Sequence, residues 1–325
     1  MAPSPPSDVL IGPGLPTPDI CLENGRYALY QADCLDLMPR LPHGSVDMIF
    51  ADPPYFLSNG GITCKAGKRV SVNKGEWDRS LGFQGNYDFT RKWIAECQRV
   101  LKPDGSIWIS GTSHIIHIVG CCLEDLGFKL LNDITWVKVN PPPNLSCRYF
   151  THATETVIWA ARDKKSRHRF NYDLMRQLNG GKQMLSVWTI GAPRSAEKIF
   201  GKHPTQKPVA LLERLIAAST LENDLILDPF SGSCTTGIAA ARLNRRYIGV
   251  ELDPEFTELA ARRLKAELRQ ESRSPLLQAA TQSHAQRQTD HRKAGETWRE
   301  IMTVGSKSLQ SCESSRLSTR KNISI

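Results

Sequence analysis

The chain has 325 residues, 40% of them hydrophobic, with 42 Lys plus Arg against 33 Asp plus Glu for a formal charge of +9. That is enough apolar chain for one large domain or two small ones, which excludes a peptide hormone or a fibre. The basic excess favours a polyanionic partner, nucleic acid first, over an acidic protein or a neutral metabolite.

The first 19 residues hold six Pro without hydrophobic pattern and predict a disordered segment. They show neither a basic n-region nor an apolar h-region, and no run approaches 18 apolar residues, so a cytoplasmic protein without a membrane partner is expected. Nine Cys without a C-x-x-C pair read as reduced thiols, with neither a disulfide framework nor a metal site implied. From Arg26 to about Arg269, strands are predicted at YALYQAD, VDMIFAD, SIWIS, ITWVKV, TVIWAA, LILDPF and RYIGVEL. Helices are predicted at FTRKWIAECQRVL, PVALLERLIAAST and PEFTELAARRLKAELRQ, where apolar residues recur every three or four positions. This alternation predicts an α/β domain on a mostly parallel sheet. Two stretches rich in positive charge, Phe56 to Arg79 and Arg162 to His203, are candidate phosphate-holding loops, with a solvated face as the alternative for each. Beyond residue 270 a basic tail without periodicity is expected to be flexible, apart from a short helix around Glu296 to Met302.

Two motifs carry chemistry. Asp52-Pro53-Pro54-Tyr55 directly follows an apolar strand, at the carboxyl end where open α/β sheets bind ligands. A carboxylate and a backbone carbonyl can together accept both hydrogens of an exocyclic amino group; Asp52 and the Pro53 carbonyl suit that task. The two prolines stiffen the turn, and Tyr55 offers a face for a base taken out of the duplex. The second motif, Asp228-Pro229-Phe230-Ser231-Gly232-Ser233-Cys234-Thr235-Thr236, joins a strand to a helix start. Its small residues allow close backbone approach and donors from a helix N-terminus, although it lacks the Gly-Lys-Ser/Thr of a Walker loop. The next strand ends in Glu251-Leu252-Asp253, where an acid can accept both hydroxyls of a ribose. Glu251 is the first choice and Asp253 the second, with a helix cap as the structural alternative.

Together these motifs resemble the amino-group DNA methyltransferases that use S-adenosylmethionine (SAM), the bacterial family marked by D-P-P-Y and F-x-G-x-G motifs. D-P-P-Y comes first here, the permuted order of the beta class. By the same resemblance, Asp33 with Cys34 and Leu35 stands where the family meets the cofactor's adenine. His203-Pro204-Thr205-Gln206-Lys207-Pro208 stands where it meets the methionine end, and Phe56 through Asp78 looks like a loop of adenine-modifying members of restriction-modification systems. The implied fold is a circularly permuted, SAM-dependent methyltransferase version of the Rossmann-like doubly wound sheet over residues 20–270, with an antiparallel strand at one sheet edge and a target-recognition region at about 160–200. The resemblance implies cofactor contacts from Asp33, Cys34, Leu35, His203, Thr205, Gln206, Lys207, Pro208, Asp228, Phe230, Ser231, Gly232, Ser233, Cys234, Thr235, Glu251 and Asp253, and catalysis at Asp52, Pro53, Pro54 and Tyr55. It also implies double-stranded DNA, a cognate restriction endonuclease and a homodimer as partners, and adenine N6 ahead of cytosine N4, since the cytosine members more often begin the motif with Ser. One departure stands out: Cys234 occupies the second glycine of F-x-G-x-G, which would weaken cofactor binding unless its side chain points away. An inactive DNA-binding relative and an enzyme acting on RNA or protein glutamine are the rival readings.

Overall fold

The computed structural model describes residues 14–58, 62–65, 68–71, 75, 78–144 and 147–270. The expected helix near Glu296, the basic tail and residues 1–13 lie outside the described residues. The segment expected to be disordered up to residue 19 is described from Gly14, where tertiary contacts order it: Leu15 packs on the core and the Asp19 carboxylate accepts Gln31 N at 2.7 Å.

In chain order the strands are β1 (Ile20–Leu22), β2 (Tyr27–Gln31), β3 (Val46–Ala51), β4 (Ile62–Lys65), β5 (Lys68–Ser71), β6 (Leu101–Gly111), β7 (Lys129–Val137), β8 (Thr154–Ala161), β9 (Val187–Thr189), β10 (Leu225–Asp228) and β11 (Arg246–Glu251). The helices are α1 (Cys34–Leu37), α2 (Gly82–Val100), α3 (Ile116–Asp125), α4 (Tyr172–Leu178), α5 (Val209–Ser219), α6 (Thr235–Arg242) and α7 (Pro254–Leu268). One sheet has the order β1-β2-β11-β10-β3-β6-β8-β7-β9, and β4 and β5 form a separate hairpin. Strands β2, β11, β10, β3 and β6 run parallel. The antiparallel strand expected at one edge is present, and a further reversed strand is interior: β8 lies between β6 and β7 and opposes both, while β9 covers β7 in parallel. β1 supplies an antiparallel edge on the far side.

Strands buried on both faces read as continuous apolar runs, and these do. Ile49 and Ala51, Ile107 and Ile109, Leu225 and Leu227, and Ile248 and Val250 join one core with Trp93, Ile94 and Cys97 of α2 and Val119, Cys122 and Leu123 of α3. On the opposite face Trp108 stacks on Trp159, with ring centroids 4.5 Å apart, and donates to Ser219 Oγ of α5 at 3.0 Å. α2 begins seven residues before the predicted FTRKWIAECQRVL, because its first turns are polar; its last apolar residue, Leu101, instead opens β6 opposite Val46. α7 starts with Asp253 accepting Glu255 N at 2.8 Å and with Pro254 in its first turn, where a missing N–H costs nothing. The parallel strands β2, β3, β10 and β11 therefore end together, and the two sequence motifs leave from adjacent carboxyl ends, β3 and β10.

Candidate active site

Asp52 follows β3, and three donors converge on its carboxylate. Ser110 Oγ from β6 (2.5 Å) and Tyr55 Oη (2.8 Å) donate to Oδ1, and Lys207 Nζ donates to Oδ2 at 2.5 Å. The loop that carries Tyr55 is tied down by Asp78, which is fully buried: its carboxylate accepts Tyr55 N at 2.9 Å, Leu57 N at 3.2 Å and Ser58 Oγ at 2.9 Å. Lys207 is 6% exposed, lies 3.2 Å from Tyr55 Oη and stands 5.3 Å above the Tyr55 ring. Beyond it, Glu155 of β8 sits 3.6 Å from Lys207 and 2.6 Å from Lys138. Burial pushes the Lys207 ammonium down, but the Asp52 and Glu155 carboxylates outweigh it and hold the pKa above the usual lysine value. Burial likewise pushes Glu155 up, and Lys207 and Lys138 reverse the direction, so its pKa is lowered. Asp52, Lys207, Glu155 and Lys138 thus form a chain of two carboxylates and two ammonium groups that ends at the part-exposed Lys138.

The second half of the site leaves β10 and β11. Asp228 accepts Phe230 N at 3.0 Å and Thr236 Oγ1 at 2.6 Å, which fixes the turn into α6; burial raises its pKa to about 7 against the pull of those two bonds. Glu251 accepts Gly232 N at 2.7 Å and Asp253 N at 2.9 Å, and burial raises its pKa. Gly232 has φ +52, and a Cβ there would come within 3.2 Å of the His203 ring, so the turn needs glycine. Burial drives His203 down to about 4, which leaves a neutral ring, edge-on to Phe256 at 4.2 Å. Arg263 of α7 clamps the turn by donating to the Ser233 carbonyl and to Thr235 Oγ1.

A cavity of about 240 Å³ joins the two halves. Of the residues expected from the sequence, Asp33, Cys34, Asp52, Pro53, Pro54, Tyr55, His203, Thr205, Gln206, Lys207, Asp228, Phe230, Ser231, Gly232, Ser233, Thr235 and Glu251 line it. Leu35, Pro208, Cys234 and Asp253 do not. Asp253 is occupied as the α7 cap, Pro208 as the residue before α5, and Leu35 donates its N–H to Asp33 Oδ1 at 2.8 Å. Cys234 adopts the left-handed backbone of the glycine it replaces, φ 60 and ψ 35, and is fully buried. Its sulfur lies 2.3 Å from where a Gly237 Cβ would stand, facing away from the cavity, and burial pushes the thiol up to about 12. Lys207, expected at the cofactor's methionine end, lines the cavity and donates to Asp52 Oδ2. Tyr55, expected as a stacking face, also has its hydroxyl engaged and its ring beneath an ammonium. Sequence reasoning missed Ser110, Glu155, Asp78 and Arg263; Ser110 was within reach, since it closes the predicted strand SIWIS, which pairs with β3.

The donor set suits an adenosyl cofactor: a buried strand-end acid stands at one side of the cavity, a tight glycine turn at its floor and an aromatic wall from Phe230 and Phe256 around it. Fold and site together define a class, the SAM-dependent methyltransferases of doubly wound architecture. The model of the DNA methylase family N6_N4_Mtase matches residues 46–262. The chain is 57% identical over 243 residues to the Type II methyltransferase M2.DpnII of Streptococcus pneumoniae, covering 74% of this chain and 91% of that protein. It is 52% identical over 261 residues to M2.MboI of Moraxella bovis, covering 78% and 96%. Among solved structures, the M1.HpyAVI–SAM complex superposes with a TM-score of 0.56 at 30% identity, covering 73% of this chain and 98% of that one. The chain belongs to this family of amino-group DNA methylases and uses SAM as its cofactor.

Proposed function

We propose that the protein methylates adenine N6 in double-stranded DNA at a specific site, with the target nucleotide flipped into the cavity. One observation carries the reading: the Asp52 carboxylate, fixed at the end of β3, opens onto the same cavity as Glu251 and the Asp228 turn. Asp52 and the Pro53 carbonyl hold the amino hydrogens and turn the nitrogen lone pair towards the methyl group, while Pro54 stiffens the turn and Tyr55 positions the base and braces Asp52. SAM, once bound, supplies an electrophilic methyl on a sulfonium that leaves as a neutral thioether. Glu251 holds the ribose hydroxyls, Asp33 and Cys34 border the adenine, and Phe230, Ser231, Gly232, Ser233 and Thr235 with His203, Thr205 and Gln206 line the remainder. Asp52 stabilises the positive charge that grows on nitrogen, and the methylated amino group then gives up its extra proton to solvent water.

The catalytic domain spans 20–270 in this reading, with target recognition at about 160–200, where α4, β9 and the basic residues Arg167, Arg169 and Arg194 lie. The Type II names of the relatives support a cognate restriction endonuclease and a cytoplasmic setting, and the family resemblance supports a homodimer. Among the described residues no helix is long and apolar enough to cross a membrane. The test is incubation with labelled SAM and unmethylated genomic DNA beside an Asp52→Ala control, with the modified nucleoside identified by mass spectrometry and its position by sequencing. N6-methyladenine from the parent alone is expected; N4-methylcytosine would overturn the choice of base, and methylation by Asp52→Ala would overturn the role of Asp52.

A further inference from the structure

The acid assigned to the target amino group is already engaged. Asp52 Oδ1 accepts from Ser110 and Tyr55, and Oδ2 accepts from the Lys207 ammonium at 2.5 Å. An ammonium on that oxygen opposes the reaction, because methyl transfer places positive charge on the nitrogen bound to the same carboxylate, and a desolvated site strengthens the repulsion. A second anion lies within reach of the same lysine. Glu155 Oε2 is 3.6 Å from Lys207 Nζ and 3.3 Å from Tyr55 Oη, while Oε1 is taken by Lys138 at 2.6 Å. Glu155 is 8% exposed and is anchored on β8, the strand that runs against β6.

We propose that Lys207 is a positioning residue that neutralises Asp52 in the resting enzyme and passes to Glu155 Oε2 when the target amino group takes Asp52 Oδ2. This rests on the assignment of Asp52 as acceptor. The ammonium shifts by about 1 Å, from 3.6 Å to a charge-assisted hydrogen bond of about 2.8 Å. No covalent bond changes and no proton moves. The charges of Asp52, Glu155, Lys207 and Lys138 sum to zero before and after; Glu155 then carries both ammonium contacts while the amino group donates to Asp52. Asp52 is thereby held neutralised while no base is present and has its charge released at the moment a donor arrives. The lowered pKa of Glu155 keeps the receiving anion charged.

The direct test is a structure of the protein with S-adenosylhomocysteine and a duplex carrying the site found by sequencing. Lys207 Nζ is expected within about 3 Å of Glu155 Oε2 and beyond about 3.5 Å from Asp52 Oδ2, the edge of hydrogen-bond range. Lys207 still on Asp52 while the base's amino group bonds the same carboxylate overturns the exchange alone; a flipped base that makes no bond to Asp52 overturns the acceptor assignment with it. In solution, Glu155→Gln is expected to raise the Kd for the target duplex about tenfold with SAM affinity unchanged, since Lys207 then stays on Asp52. Adding Lys207→Gln to that variant is expected to restore duplex affinity, because no ammonium competes for the acid. Independent losses that multiply in the double variant would mean that Glu155 is merely structural and would overturn the proposal.

Discussion

Asp228 offers a measurement of what the cofactor turn costs the folded protein. Burial raises its pKa from 3.8 to about 7 although Thr236 Oγ1 and Phe230 N both donate to it. A folded-state pKa above the unfolded one means that the native state holds a proton the unfolded chain has released. The contribution to stability is therefore full below about pH 4, is lost as pH rises through 7, and is flat above that. At about 1.4 kcal/mol per pH unit, the loss has a ceiling of about 4 kcal/mol. Asp228→Asn removes the titration while retaining an oxygen for Phe230 N, and the Thr236 hydroxyl can turn to accept from the new amide. Urea denaturation of both proteins without SAM, from pH 4.5 to 8.5, should show the variant gaining on the parent by up to about 1.4 kcal/mol per pH unit as far as pH 7, and then a plateau. A difference that does not change with pH would refute the raised pKa, and a difference that shrinks as pH rises would refute its sign.

Glu251→Gln should weaken SAM binding by roughly tenfold to a hundredfold in calorimetric titration, the scale of losing a charged acceptor of 1.5–3 kcal/mol. Cys234→Gly should leave SAM affinity within about twofold, because the sulfur faces Gly237; thermal denaturation should show a change within about 1 kcal/mol, since relief of the left-handed backbone offsets lost burial. Gly237→Ala should destabilise by about 1–3 kcal/mol through overpacking, since a Cβ would stand 2.3 Å from that sulfur and 2.7 Å from Tyr247. His203, with its pKa driven to about 4, should leave no inflection between pH 5.5 and 9 in the pH–rate profile, so His203→Gln should lower SAM affinity without moving the acid limb.

Most of the parallel sheet was legible because strands covered on both faces are apolar without interruption, and both motifs hang on such strands: DMIFA before Asp52 and LILD before Asp228. The short elements were not. α1 and β9 have four and three residues, too few for either period to register, and α3 hides its face in the near-continuous apolar run Ile115 to Cys122. Strand direction was also out of reach: TVIWAA reads the same whichever way it runs, and only the pairing of Trp108 with Trp159 and of Trp136 with Glu155 shows that β8 is reversed between its neighbours.

That reversal explains why half of the catalytic wall escaped the sequence. Because β8 runs against β6 and β7, its first residues lie at the edge where β6 ends, which sets Glu155 beside Tyr55 and Lys207 although it is 100 residues from one and 52 from the other. Motifs near D-P-P-Y or the cofactor turn could be read because adjacency in sequence stood in for adjacency in space. Lys207 was assigned to the cofactor for the same reason, as part of the run His203 to Pro208. What holds its ammonium is charge: a buried ammonium needs an anion, and at the start of α5 two lie within its reach, Asp52 at the end of β3 and Glu155 on the reversed strand. The site therefore depends on topology as well as on motifs, and a beta-class chain with an uncharged residue at the position of Glu155 should either lack the lysine or hold Asp52 permanently paired.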